Sequence, residues 1–355
     1  MTAMKVLIVY KDIASIYDNP FVATLKDALS SNGIAVDWGL EKFWNSTEFY
    51  DCILFQWPGT IYDYAKVTRD MAEAVKGRIG YWRSRGAMIA YTRHNSCPHL
   101  SMNDSLPYLY TIVESNADIV FHMGKYSEGE SIRRSLSPSA KHYVVPHQIY
   151  ENIDRGIIKD SARELLGIAP QSKVILCFGE FRNDAERDMV INAYKWLDIR
   201  GKYLLTPRFF RQRLPRRNPF TLAKRLMERI PYLFTGRIFQ DKTIPREKIP
   251  YFFSAADIVL IQRKKILNSG NLPMAFYFGK VVVGPDVGNV GEILRATGNP
   301  VFNPESVESV RDAVEQGLHL STTDLGKRNQ VYAERNWSQH EVGRLIVGAI
   351  NDCKS

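Results

Sequence analysis

The stretch Lys264-Lys-Ile-Leu-Asn268-Ser-Gly-Asn271-Leu-Pro-Met-Ala-Phe-Tyr-Phe-Gly279-Lys-Val281-Val-Val283-Gly-Pro-Asp286-Val-Gly-Asn-Val-Gly-Glu292 decides the fold. A small polar loop, Asn268 to Asn271, feeds an apolar run from Leu272 to Phe278. Pro273 near the start and Gly279 at the end mark that run as a helix. The β-branched Val281-Val282-Val283 then reads as a buried strand. Loop, helix, stop and strand make one unit of an α/β domain. The same order occurs in ordinary loop–helix–strand units, but a Ser-Gly-Asn loop at a helix start also presents N–H groups suited to a phosphate.

Working outward toward the amino terminus, the pattern repeats. Met4 to Tyr10, Cys52 to Gln56, Met88 to Thr92, Ala117 to His122 and His142 to Val145 read as buried strands, with a shorter strand starting at Ile34. A helix is predicted from Phe21 to Ser31, stopped by Gly33. In the second half, Lys173 to Phe178 and Ala256 to Leu260 are strands. Helices are predicted at Ser161 to Gly167 (with Ser161 as cap), around Met189 to Trp196, at Ile249 to Ala255, at Asp324 to Arg335 and at Gln339 to Asn351. Strands alternating with helices predict parallel sheets covered on both faces. Ligands of such sheets bind at the carboxyl ends of the strands. There lie Asp12 to Asn19, Gln56 to Gly59, Arg93 to His99 and Gly179 to Arg182.

A chain of 355 residues suits about two domains. Its 45% hydrophobic and 24% charged content is that of a soluble globular protein. No apolar run has the ~20 residues of a membrane span, and the first ten residues do not make a signal peptide, so a cytoplasmic protein is expected. Cys52, Cys97, Cys177 and Cys353 are too scattered for a metal motif and are expected as thiols. The net charge of +9 favours an anionic partner. Much of the excess falls between Lys202 and Arg229, where Arg208, Arg211, Arg213, Arg216, Arg217, Lys224 and Arg225 mix with Tyr203, Phe209, Phe210 and Phe220. That segment reads either as a solvated loop with one amphipathic helix, Leu222 to Ile230, or as a surface over 202–230 for anionic headgroups at a membrane. A nucleic-acid surface would mix the same residue types, but no motif supports one and no nucleic acid is expected.

Gly86-Ala-Met-Ile-Ala-Tyr-Thr92-Arg-His94-Asn95-Ser-Cys-Pro98-His99 resembles a segment of GT-B glycosyltransferases, with the pattern Gly-x-x-Ile-x-x-Thr-x-His-Asn-x-x-Pro-His. Val144-Val-Pro146-His147-Gln-Ile-Tyr150 is similar to the Val-Pro-His-x-x-Tyr segment that ends their first domain. Phe252 to Leu260 and the Ser269-Gly270-Asn271-Leu272 loop resemble their donor-binding region. The likeness implies two doubly wound, Rossmann-like domains facing a cleft. It places an acceptor-side domain at 1–155, a nucleotide-sugar domain at 156–335, and a last helix at 336–355 that crosses back after Trp337-Ser338.

The implied activity is metal-independent transfer of a hexose from a nucleotide-diphosphate donor, UDP- or GDP-linked, to a saccharide acceptor. The resemblance extends to a lipid-linked acceptor, in cell-surface polysaccharide synthesis at the inner face of the membrane. No cofactor beyond the donor is implied, and no Asp-x-Asp metal motif is present. By resemblance His94 would orient or deprotonate the acceptor, with Asn95 and His99 beside it. Gly179, Arg182, Arg237, Lys264, Ser269, Gly270, Asn271 and Glu292 would hold the donor. Read by itself, His94 serves equally as a structural hydrogen bond at a strand end, and Glu292 as an acid near a helix start. Two departures stand out. The family places Lys and Gly where this chain has Ala185 and Glu186, with Arg187 and Lys264 as substitute cations. Its two loop Glu residues correspond to Ile266 and Met274. These departures also admit a non-catalytic member that binds nucleotide or glycan.

Overall fold

A computed structural model describes residues 4–11, 20–64, 67–96, 104–135, 137–209 and 244–354, with 220, 223 and 227 alone between them. The chain divides into two units, Met1–Tyr150 with Arg335–Ser355, and Glu151–Glu334. The sequence-based boundaries fell at 155/156 and 335/336.

The first unit holds six parallel strands among the described residues, in the order β2-β1-β3-β4-β5-β6: β1 (Lys5–Val9), β2 (Ala35–Trp38), β3 (Cys52–Phe55), β4 (Met88–Arg93), β5 (Ile119–His122) and β6 (Lys141–Val144). Strand periodicity explains how one sheet feeds two cores. Leu7, Val9, Ile53, Phe55, Ile89 and Tyr91 point to one face, where Val75, Ile79 and Trp82 of helix Arg69–Ser84 cover them. Val6, Ile8, Cys52, Leu54, Ala90, Ile119 and Phe121 point to the other. That face is closed by Val22, Leu25 and Leu29 of helix Pro20–Ser30, and by Val342, Ile346 and Ile350 of helix Gln339–Lys354.

The last helix thus belongs to the first unit, four-residue spacing putting its apolar side chains on one stripe. Its approach to helix Pro20–Ser30 depends on Gly343. A Cβ there would lie 2.1 Å from Ala28 O. Ile149 N–H donates to Trp337 O at 2.8 Å, which ties the end of the first segment to the returning one.

The second unit holds five parallel strands among the described residues, in the order β11-β10-β9-β7-β8: β7 (Lys173–Leu176), β8 (Lys202–Leu205), β9 (Ile258–Leu260), β10 (Val281–Pro285) and β11 (Val301–Phe302). Ile175, Leu204, Ile258, Leu260, Val281 and Val283 meet helices Asp184–Trp196 and Val307–Leu320 through Met189, Val190, Val310, Ala313, Val314 and Leu318. In both units the chain starts in the middle, steps outward one way and then reverses. That reversal creates a switch point, between β1 and β3 in one sheet and between β7 and β9 in the other.

Most sequence-based spans sit within a few residues of the observed ones. Three expectations need correction or limits. Ser161 lies inside helix Lys159–Leu166, which begins after Ile158 and has no side-chain cap. The helices Arg69–Ser84, Ser105–Ser115, Lys125–Arg134 and Val307–Leu320 were not assigned from sequence. Most of the basic segment 202–230, and the run Tyr232 to Arg237 that reads from sequence as a short strand entering a basic loop, fall outside the described residues.

Candidate functional site

In the second unit, three stretches meet at the switch point: the loop after β7, the loop after β9, and the start of helix Asn271–Tyr277. Gly179 follows β7. A Cβ on it would lie 2.9 Å from Gln262 Nε2, 3.0 Å from Asn271 Nδ2 and 3.4 Å from Arg263 Nη2. The absence of a side chain leaves room for those three polar groups to crowd the backbone together. Gln262 Nε2 also donates to Gly179 O, and Gln262 is buried.

Glu186 explains how these loops hold together. Asn183 caps helix Asp184–Trp196, its Oδ1 accepting Glu186 N–H at 2.9 Å. Glu186 turns back and its Oε2 accepts Arg182 N–H at 2.9 Å, a reciprocal arrangement close to a capping box. The same oxygen accepts from Arg263 Nη1 at 2.8 Å. Glu186 is 2% exposed. Its carboxylate therefore does not confront a ligand as an extra negative charge. It is consumed by a cap and a buried ion pair. Burial lowers the pKa of Arg263, and the nearby Glu186 opposes that effect. Arg182 Nη1 reaches across to Lys265 O at 3.3 Å, binding the loop after β7 to the loop after β9.

The predicted donor loop follows. Ser269 Oγ accepts Asn271 N–H at 3.3 Å, and Gly270 precedes the first turn of the helix. Lys264 pairs with Glu305 at 2.7 Å. Asn268 Oδ1 accepts from Asn289 at 2.7 Å. Gly288, at φ +60°, lets residues 286–289 pass under this loop, since a Cβ there would lie 2.3 Å from Ile266 O. Glu292 sits in helix Gly288–Ala296, partly buried and close enough to Tyr332 to raise its pKa together with burial. Met274 is buried and apolar. Arg187 pairs with Asp184 on its own helix. Arg237 lies outside the described residues.

In the first unit, β4 delivers His94 directly after Arg93 at the carboxyl edge. His94 is 6% exposed. Its ring stacks on Trp57, centroids 3.6 Å apart at 17°, and Phe21 meets it edge-on at 4.9 Å. His94 Nε2 lies 2.9 Å from Gln56 Oε1, while Gln56 Nε2 donates to Thr92 Oγ1 at 3.2 Å. The amide oxygen accepts, so this arrangement places the imidazole proton on Nε2 and makes Nδ1 the basic nitrogen. Burial, with His147 second, holds the His94 pKa well below the ordinary value. His147 also meets Phe21 edge-on at 4.9 Å, and burial pushes its pKa down to about 4. Both imidazoles are neutral at pH 7. Asn95 follows His94, partly exposed, and His99 lies outside the described residues.

Behind this edge, the buried Arg93 holds Glu130 at 2.9 Å and Glu114 at 3.6 Å. His122 is buried and bonds to His142 at 2.9 Å. Among the described residues, no three His, Cys, Asp or Glu side chains gather so as to hold a metal ion. Nor does any helix among them have the length and apolarity to cross a membrane. Cys52 and Cys177 are buried thiols.

Two doubly wound units of this kind, one closed by the returning carboxyl-terminal helix, are the GT-B fold. Solved structures with that fold match nearly the whole chain. Sucrose-phosphate synthase from Thermosynechococcus elongatus superposes with a TM-score of 0.73 at 13% identity, covering 98% of each chain. HepE of Anabaena, in complex with UDP-glucose, gives 0.68 at 15% identity over 98% of this chain and 100% of its own. UDP-GlcNAc 2-epimerase from Neisseria meningitidis, bound to UDP-GlcNAc, gives 0.54 at 14% identity over 98% and 100%. At such identities the likeness is one of fold. No protein-family model and no curated protein sequence matches the chain.

The sequence reading singled out Gly179, Arg182 and Asn271, and the structure brings them together. It missed Gln262 and Arg263. The Asn183-x-x-Glu186 capping pattern was the available signal that Glu186 faces its own helix start, leaving a buried acid in need of a cation.

Proposed function

We propose that the chain is a glycosyltransferase that moves a sugar from a nucleotide-diphosphate donor to a saccharide hydroxyl, with no metal ion. The observation that carries this reading is the convergence of Gly179, Arg182, Gln262, Arg263 and Asn271 at the switch point of the second sheet. Backbone exposed by a glycine and two guanidinium groups suit a diphosphate. The fold it shares with a protein held in complex with UDP-glucose supports the same class of donor.

In this reaction the bond between the anomeric carbon and the diphosphate oxygen breaks, and negative charge grows on the leaving diphosphate. Arg182, Lys264 and the polar groups of Ser269, Gly270 and Asn271 stabilise it by fixed charge and dipoles. Arg263 is added to that set, oriented by Glu186. Glu292 accepts from donor hydroxyls. His94 is assigned to the acceptor hydroxyl, with Asn95 beside it. Being neutral and held by Gln56 and Trp57, its imidazole offers an oriented acceptor nitrogen at neutral pH. Assembly of cell-surface polysaccharide, a lipid-linked acceptor, and contact of segment 202–230 with the inner face of the cell membrane belong to the same proposal.

The test is a thermal-shift series with UDP, GDP and their common sugar conjugates. A ligand that binds only the folded state raises the midpoint by mass action. Loss of a charge-assisted contact in Arg182→Ala is expected to weaken the productive nucleotide about tenfold or more. Donor hydrolysis without acceptor then establishes chemistry. No shift with any nucleotide would make the replacements at Ala185, Ile266 and Met274 decisive, and the chain would be a non-catalytic member of this fold.

A further inference from the structure

A second polar recess lies in the same unit, at the opposite end of the sheet from Gly179. Lys280 stands just before β10, and Ser254 ends the helix that leads into β9, so the recess sits at the amino ends of these strands. Arg155 and Lys159 complete its charged lining, with Tyr277 and Gln330 beside them. About 410 Å³ of non-atom space lies within it, part of it open to solvent. Among the described residues, three cations line it and no carboxylate does.

Lys280 is the informative residue. Its ammonium donates to Ala256 O at 2.9 Å and to Ser254 O at 3.2 Å. Those two carbonyls end helix Ile249–Ala255, so part of its role is to cap that helix. An ammonium has three donors, and two carbonyls are neutral partners. Asp257, the nearest acid acting on it, is already shared by Lys159 and by Arg163 at 2.9 Å. Burial, then the like charge of Lys159, brings the Lys280 pKa down to about 8, with Asp257 opposing and Arg163 adding to the fall. On the far wall, Arg155 stacks on Tyr277 at 4.7 Å and pairs with Glu334, while Glu151 and Asp154 also act on Tyr277. The excess of positive charge is therefore local to Lys280, Lys159 and Arg163, where a doubly charged anion gains most.

We propose that this recess binds a phosphate group, free or carried on a small molecule, between Lys280, Lys159 and Arg155. Nothing in this assignment depends on the donor-binding reading. The two sites lie at opposite ends of one sheet and use different residues.

The experiment is acylation footprinting of the wild-type protein with acetic anhydride at pH 8, read by peptide mass spectrometry, with and without inorganic phosphate at constant ionic strength. A partly neutral amine is acylated readily there, and bound phosphate is expected to protect Lys280 several-fold, with Lys327 as the unprotected reference. A parallel arm uses vesicles of phosphatidylcholine with and without phosphatidic acid. Protection by free phosphate assigns a soluble ligand, and protection by the acidic vesicles alone assigns a headgroup. Phosphate affinity is expected to fall about tenfold or more in Lys280→Gln and in Arg155→Gln. Phosphate protection of Lys280 itself should persist in Arg182→Ala, which leaves the recess lining intact. Arg155→Gln keeps the test valid if loss of the helix cap prevents Lys280→Gln from folding. Equal acylation of Lys280 in every arm overturns the proposal. So does phosphate binding that survives both recess substitutions but is lost in Arg182→Ala, since the anion then occupies the loops around Gly179.

Discussion

At the carboxyl edge of the first sheet, His94 is packed among Trp57, Phe21 and the amide of Gln56, whereas at the same edge of the second sheet Gly179 is ringed by Gln262, Arg263 and Asn271. The strand orders correspond, with β1 and β3 in one sheet matching β7 and β9 in the other. Even the device at the switch point recurs. A buried glutamine follows β3 and another follows β9, each fastening its strand end to a neighbouring loop. What differs is the lining. The first edge is aromatic and neutral, built to position uncharged polar groups. The second carries Arg182 and Arg263 and is crossed by a buried ion pair, the charge on which the proposed diphosphate site rests. Topology brings loops together at a switch point in each unit, and side-chain chemistry sets the charge of each edge.

The comparison can be broken most sharply at Glu186. Glu186→Ala leaves the Arg263 guanidinium buried without its counter-ion and removes the acceptor of Arg182 N–H. A loss of about 3–5 kcal/mol is expected, read as a lower urea midpoint with an unchanged slope. An effect below about 1 kcal/mol would mean that Arg263 escapes to solvent and that the two edges differ less than their geometry suggests.

The matching change in the first unit is Gln56→Leu. It strands the His94 Nε2–H in an apolar setting and is expected to cost about 1–3 kcal/mol, less than the charged counterpart. Urea unfolding of the two variants side by side tests that order directly.

The most gradual effect comes from pH. Folding depresses the pKa of His147 to about 4 from an unfolded value of 6.5, and that of His94 in the same direction. The unfolded chain therefore binds more protons than the folded one between these values. Their contribution is complete above about pH 6.5 and is lost as pH falls toward 4, by up to about 1.4 kcal/mol per pH unit for each imidazole. Urea midpoints at pH 7, 6 and 5 should fall less steeply in His147→Gln. Equal slopes would show that the ring opens to solvent on protonation.

Much of this molecule follows from its sequence, and the boundary has a physical cause. Runs such as Val281-Val282-Val283 and Cys52-Ile53-Leu54-Phe55 are buried on both faces, so their composition alone marks central parallel strands. The positions of Gly179 and His94 at strand ends, and the loop Ser269 to Asn271, were legible for the same reason. Helices such as Lys125–Arg134, with only Ser127 and Ser131 buried, carry no apolar stripe and escaped notice. Tertiary structure alone decided which charges meet. Glu186 and Arg263 are 77 residues apart in the chain yet share a hydrogen bond, and Lys280 gathers with Arg155 and Lys159 only because helix ends and strand starts pack together. Local periodicity encodes burial. Pairing of distant charges depends on the crossover of the sheet, which no local pattern records.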